Sequence, residues 1–60
     1  MITAKVVFKD NLQKPNEYID PVISIIFDEK GTFAIYNGIY NYEFIPKELR
    51  RIDFEEENKE

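Results

Sequence analysis

Apolar and polar residues alternate along much of this chain, which is a pattern typical of β-strands. In the first such run, Ile2, Ala4, Val6 and Phe8 are apolar, and only Val7 breaks the alternation. Four later runs are rich in β-branched and aromatic residues and are bounded by turn-forming residues. The pattern predicts strands over residues 2–9, 22–28, 32–37, 39–45 and 50–55.

The segment 28–32, with the sequence Asp-Glu-Lys-Gly-Thr, predicts a tight hairpin. A three-residue hairpin loop is a type I turn followed by a residue in the left-handed conformation, which Gly31 adopts at no steric cost. This loop pairs Phe27 with Phe33 and Ile25 with Ile35.

Asn37 and Gly38 predict a second hairpin with a two-residue loop. A type I′ turn needs a positive φ at both central residues, and asparagine followed by glycine tolerates this well. The loop would place Ile35 opposite Tyr40. Because side chains alternate between the two faces of a sheet, the two loops together assign every residue of the three strands to a face.

The register predicts a core face and a second face that is partly apolar. The predicted core face comprises Ile23, Ile25, Phe27, Phe33, Ile35, Tyr40, Tyr42 and Phe44. The apolar residues of the second face are Val22, Ile26, Ala34, Tyr36 and Ile39. An exposed apolar patch that contains an aromatic residue marks an interface, so we predict that these five residues bind a partner. The alternative is that barrel curvature, the first strand or a C-terminal helix covers them.

Residues 10–20 are polar and precede Pro21, and they predict an irregular loop of about ten residues. A loop of this length is a candidate binding element. We expect Tyr18 and Ile19 within it to tuck under the edge of the sheet.

Pro46 ends the third strand of the meander and predicts one helical turn over residues 46–49, because proline is favoured at the first position of a helix. The alternation of Ile52 and Phe54 with charged residues then predicts the last strand. A helix over residues 46–58, packed on a four-stranded sheet, is the alternative.

The chain has 60 residues, nine of them aromatic, and no cysteine. A chain this short lies near the lower limit for independent folding, and without disulfides its stability must come from packing or from assembly into a homodimer. We predict one small β domain over residues 1–57 and a frayed acidic tail over residues 58–60.

The net charge of −4 comes from the C-terminal end. Residues 1–52 contain seven basic and seven acidic side chains, whereas residues 53–60 contain five acids and one lysine. A nucleic-acid partner is not expected, because it would need a basic stripe. No segment has the length or apolar character of a membrane span or a secretory signal, so a cytoplasmic protein without a membrane partner is predicted.

Residues that carry chemistry are scarce. There is no histidine to act as a general base or a metal ligand, and Ser24, the single serine, lies within a predicted strand. The two glycines lie in turns, which leaves no phosphate-binding loop. We therefore predict a protein that is not an enzyme and that needs no metal or cofactor.

Arg50 and Arg51 are candidate contacts for a small anionic ligand, such as a nucleotide. Tyr18 and Tyr40 would stack against the ligand if a homo-oligomer brought the tyrosines and arginines together. The simpler interpretation is that the two arginines balance nearby acids.

The predicted order is a strand, a long polar loop, a three-strand meander, a proline-led turn and a short last strand. This order resembles the SH3-like small β-barrel, and the segment 45–52, Ile-Pro-Lys-Glu-Leu-Arg-Arg-Ile, is similar to the single helical turn before the last strand of that fold. The resemblance implies a mainly β, five-stranded antiparallel barrel or curled sheet. The Ala-Leu-Tyr-Asp-Tyr signature and tryptophan are both missing, so a groove for proline-rich peptides is not implied.

In size and acidic character the chain is also similar to accessory and anti-defence proteins of bacteriophages and mobile elements, which act in the host cytoplasm. The expected function is a non-enzymatic binding protein that acts by protein–protein contact, as an inhibitor of a host or cellular protein, and that forms a homodimer. The alternative is an oligomer that sequesters a nucleotide-like small molecule.

Overall fold

The computed structural model describes residues 1–56, which form six strands in two antiparallel sheets of three strands each. The strands are β1 (Ile2–Phe8), β2 (Glu17–Ile19), β3 (Ser24–Phe27), β4 (Phe33–Tyr36), β5 (Asn41–Phe44) and β6 (Leu49–Glu56). Sheet A has the order β2-β1-β6, and sheet B has the order β3-β4-β5. The predicted mainly β class is confirmed, but the two sheets are not closed into a barrel.

Sheet A is built around β1, which pairs with β6 along its whole length and with β2 at its centre. Strand β2 was not predicted as a strand, because three residues are too few to show an alternating pattern. Ile19 lies opposite Ala4 and is buried, as expected. Tyr18 points the other way and is exposed, so its predicted position under the sheet edge is wrong.

The segment after Pro46 folds as the proline-led turn and strand that we predicted. A 3₁₀ turn covers Pro46–Glu48, and β6 starts at Leu49. The alternative helix over residues 46–58 is wrong for the part of that range that the structure describes. The predicted acidic tail at residues 58–60 lies outside the described residues.

The first hairpin of sheet B has the predicted register, with Phe27 opposite Phe33 and Ile25 opposite Ile35. The Gly31 N–H donates to the Asp28 carbonyl at 3.0 Å, and Gly31 has a φ of +85°. The three-residue loop with a left-handed glycine is confirmed.

The second hairpin differs from the prediction, because its loop contains four residues, 37–40, instead of two. Tyr36 therefore lies opposite Asn41, and Ile35 lies opposite Tyr42 rather than Tyr40. Asn37 does not adopt a positive φ. Its side-chain oxygen instead accepts hydrogen bonds from the N–H groups of Ile39 and Tyr40, at 2.9 and 2.7 Å. These two bonds stabilise the wider loop. The slip is two residues, so each strand residue keeps its face.

The core lies between the inner face of sheet A and strands β4 and β5 of sheet B. Its buried members are Ala4, Val6, Phe8, Ile19, Phe33, Ile35 and Phe44. The rings of Phe8, Phe33 and Phe44 follow one another with centroid distances of 6.2 and 5.7 Å. Val22, Tyr42, Leu49 and Ile52 pack around this cluster and are partly buried.

Four residues that we assigned to the core face are exposed: Ile23, Ile25, Phe27 and Tyr40. Ile25 and Phe27 do share a face with the buried Phe33 and Ile35, as the register requires. The buried residues of sheet B, however, belong to β4 and β5, and β3 lies at the edge of the sheet beyond them. Tyr40 is exposed because it belongs to the four-residue loop.

We expect the substitution Ile35→Ala to lower the free energy of unfolding by about 2–5 kcal/mol, because it removes fully buried methyl groups and leaves a cavity. Urea denaturation followed by circular dichroism measures this loss. The matched control, Ile39→Ala, removes the same atoms from a loop residue that is 77% exposed, and should change the value by less than about 0.5 kcal/mol. Equal losses for the two variants would contradict the position of the core.

The substitution Gly31→Ala should cost about 1 kcal/mol of stability, because alanine is strained at positive φ. Apart from Gly31 and its two chain neighbours, no described residue has an atom within 4 Å of a Cβ built at this glycine, so the cost is in the backbone alone. Gly31→Asn should cost less, because asparagine tolerates the left-handed region. The same urea titration compares them, and a larger loss for asparagine would contradict this account of the loop.

Candidate protein-binding surface

Strand β3 is exposed along its whole length, although three of its four residues are large and apolar. Ile25, Ile26 and Phe27 have exposed fractions of 37%, 56% and 79%. Because neighbouring side chains in a strand point to opposite faces, the exposed apolar surface covers both sides of the sheet at this edge. We refer to Ser24–Phe27 as the β3 edge.

The backbone of the β3 edge also offers hydrogen-bonding groups. The Asp28 N–H donates to the Thr32 carbonyl at 2.9 Å, which is a bond toward β4. In an antiparallel pair, hydrogen bonds to a given neighbour come from alternate residues, so Ser24 and Ile26 also face β4. The N–H and C=O groups of Ile25 and Phe27 therefore point away from the sheet.

Natural sheets usually protect such an edge with a charged residue, a proline or a bulge that turns the strand away. The β3 edge contains neither a charged residue nor a proline. The other outer strands of the two sheets are β2, β5 and β6, and each contains at least one charged side chain, such as Glu17, Glu43 or Arg51. Among the described strands, β3 is thus the apolar edge without this protection.

The predicted interface residues lie in three different settings. Ile26 and Ala34 are opposite each other on the second face of sheet B, and Tyr36 lies on the same face. The Tyr36 hydroxyl donates to the Gly38 carbonyl at 2.8 Å, which brings the loop with the exposed Ile39 next to this face. Val22 is separate.

Val22 does not belong to the exposed patch, because its side chain packs against the core. Its N–H donates to the Ile2 carbonyl at 2.7 Å, so this part of the chain is bound to sheet A. The predicted register assigns Val22 to the second face by counting back from the hairpin. The regular strand starts only at Ser24, and the count does not hold before it.

Three exposed residues of the surface were missed by sequence reasoning: Ile23, Ile25 and Phe27. All three were assigned to the core by strand parity. Ile23 lies close to the loop of the second hairpin, with its Cγ1 3.7 Å from the position of a Cβ on Gly38. The sequence did contain a signal for this exposure. The run from Val22 to Phe27 places apolar residues on both faces of the strand, and a core that covers one face leaves the others exposed.

The predicted ligand contacts are divided between the two sheets. Tyr18 lies on β2 and Arg51 on β6, both on the outer face of sheet A. The Arg51 Nε donates to the Asp53 carboxylate at 2.9 Å, and this ion pair already engages the guanidinium.

The other two predicted ligand contacts are Arg50 and Tyr40. Arg50 is exposed at the irregularity where β6 changes register against β1. Tyr40 lies in the loop of sheet B, with its ring 6.4 Å from that of Tyr42. One chain therefore does not gather the set into a single site, and the ligand hypothesis stays a prediction.

The predicted binding loop borders a groove of about 660 Å³ between residues 13–17 and strand β5. Aromatic side chains line part of it, including Phe8 and Tyr42. Lys14 lies beside the groove, where its Nζ is 3.0 Å from a Glu48 carboxylate oxygen and 5.5 Å from the centre of the Phe8 ring. These contacts link the loop to the 3₁₀ turn, so the Lys14 ammonium already has a carboxylate partner.

A second groove, of about 400 Å³, runs beside the β3 edge. Its apolar lining comes from Ile26, Phe27, Phe33 and Ala34, and its carboxylates come from Asp28, Glu29 and Glu43. The described residues include no group of three or more histidine, cysteine, aspartate or glutamate side chains that could hold a metal ion. Within residues 1–56 there is also no helix with the length and apolar character to cross a membrane.

Comparisons of this chain with models of protein families, with the sequences of characterised proteins and with solved structures found no match in any of the three.

Proposed function

We propose that this is a non-enzymatic binding protein that acts by protein–protein contact through the β3 edge. The observation that carries the proposal is an outer strand that is apolar on both faces, exposed, and free of charged residues and proline. Exposed apolar surface of this kind marks an interaction site when it is contiguous.

The mode of contact that fits this strand is the addition of an extended segment of the partner to sheet B. Such a segment would pair with the outward N–H and C=O groups of Ile25 and Phe27, while side chains on the two faces determine which segment fits. Full burial of a large apolar side chain contributes about 1.5–3 kcal/mol, so Ile26 and Phe27 would supply much of the affinity.

A binding protein of this kind would act as an inhibitor where the paired segment of the partner is needed for the partner's own function. We retain this form of the proposal, with a host protein as the target, on the basis of the small size and acidic character of the chain. The SH3-like resemblance is likewise retained as a proposal, at the level of the order of the elements. It is supported by the order of β1, the meander β3-β4-β5, the proline-led 3₁₀ turn and β6.

We expect Phe27→Asp to weaken binding of a partner by about 30-fold or more, the loss typical of a central interface residue. Partners are captured from extract of the native cell on the immobilised protein, identified by mass spectrometry and purified. Their dissociation constants are then measured by calorimetry.

The matched control is Leu12→Asp, which introduces the same charge at a loop residue that is 99% exposed and distant in sequence from β3. Circular dichroism and urea denaturation establish that both variants are folded. A partner that binds wild-type protein and both variants with equal affinity would show that the β3 edge is not the docking site.

A further inference from the structure

We propose that a second copy of this chain occupies the β3 edge. In this dimer the two β3 strands pair antiparallel about a two-fold axis beside Ile26, and two copies of sheet B become one sheet of six strands. The inference rests on the proposed function, because it names the partner of the same edge.

The outward backbone groups select one register. Ile25 and Phe27 each present one N–H and one C=O, and two-fold pairing of Ile25 with Phe27 of the second copy satisfies all of them in four hydrogen bonds. Ile26 then lies opposite Ile26 of the second copy. These two residues form the central pair and exchange no backbone hydrogen bonds with each other. The register is self-complementary, which a two-fold interface requires.

Registers shifted by two residues leave groups without partners. If Ile25 lay opposite Ile25 of the second copy, Phe27 would lie opposite Ile23, whose N–H already donates to the Tyr36 carbonyl at 2.8 Å. If Phe27 lay opposite Phe27 of the second copy, Ile25 would lie opposite Glu29, which belongs to the turn. The register centred on Ile26 avoids both problems.

The side chains are compatible with the same register. Ile25 would pack against Phe27 of the second copy on one face, and the two Ile26 side chains would meet on the other face. Ser24 would lie opposite Asp28 of the second copy, so that a hydroxyl donor faces a carboxylate acceptor. The acidic residues of the two turns would lie at opposite ends of the pairing, where like charges are kept apart.

The exposed area is sufficient for a small dimer interface. The exposed fractions of Ile23, Ile25, Ile26 and Phe27 correspond to roughly 500 Å² of apolar surface in each copy, given the size of such side chains. Because pairing at a strand edge covers only part of this surface, two copies would together bury less than about 1,000 Å², the size of a weak interface. The other outer strands present charged residues and lack an equivalent surface.

Disulfide cross-linking tests the register directly, because the chain has no cysteine of its own. In an antiparallel pair without hydrogen bonds, facing Cα atoms lie about 4.5 Å apart, which is within the range of a disulfide. We expect Ile26→Cys to form a covalent dimer under mild oxidation. The matched control, Ser24→Cys, should remain uncross-linked, because its two copies would be four residues out of register, or about 13 Å apart.

A pair of oppositely charged substitutions at Ile26 tests the same contact without a covalent bond. By light scattering, wild-type protein should have twice the 7.2 kDa mass of one chain, whereas Ile26→Lys and Ile26→Glu should each be monomers. An equimolar mixture of the two variants should recover the dimer mass, because lysine would then face glutamate. Circular dichroism checks that both variants are folded, as expected for a side chain that is 56% exposed.

Three results would overturn the inference: a wild-type monomer at millimolar concentration, a dimer that Ile26→Lys leaves intact, or cross-linking of Ser24→Cys but not of Ile26→Cys. A wild-type monomer whose binding to a purified partner is abolished by Phe27→Asp would overturn the second copy as occupant and leave the proposed function standing. A monomer that binds its partner regardless of Phe27→Asp would overturn both.

Discussion

The packing of sheet A against strands β4 and β5 is the interaction on which the rest of this structure depends. It buries a single cluster of apolar side chains, with Val6 and Ile35 fully enclosed at its centre. A chain of 60 residues has few side chains with which to build two layers, and a domain of this size buries a smaller share of its surface than a larger one does. Sheet A covers two strands of sheet B, and the third strand is left outside the core.

The exposed β3 edge follows from this limit. Strand β3 is held by hydrogen bonds to β4, and Val22 just before it is held to sheet A, so the strand has a defined place without being buried. Its register brings Ile25 and Phe27 next to residues of the core, yet their outer sides remain in water. Any further layer or neighbouring strand that removes the apolar side chains of β3 from water makes a favourable contribution to the free energy of association. This is the physical basis of both the proposed binding function and the proposed dimer.

The polar features of the protein have a different role. Lys14 and Glu48 attach the long loop to the 3₁₀ turn, and Arg51 pairs with Asp53 on the outer face of sheet A. These pairs are exposed, and exposed ion pairs contribute little to stability. They arrange surface elements, whereas the apolar edge offers the stronger driving force for association. The shared face of the predicted interface residues Ile26, Ala34 and Tyr36 could be derived from the sequence, because the glycine loop at residues 28–32 defines it.

The sequence by itself determined the strand class, the loop at Gly31, the proline-led turn at Pro46 and the face of each strand residue, because these depend on local backbone preferences and on a period of two. Tertiary structure decided the four-residue loop at Asn37, where side-chain hydrogen bonds compete with the tighter turn, and the short strand β2, which exists only through pairing with β1. It also decided which strands of sheet B are covered by sheet A. Parity assigned Phe27 to the same face as Phe33, but only the position of sheet A leaves one of these rings exposed and the other buried.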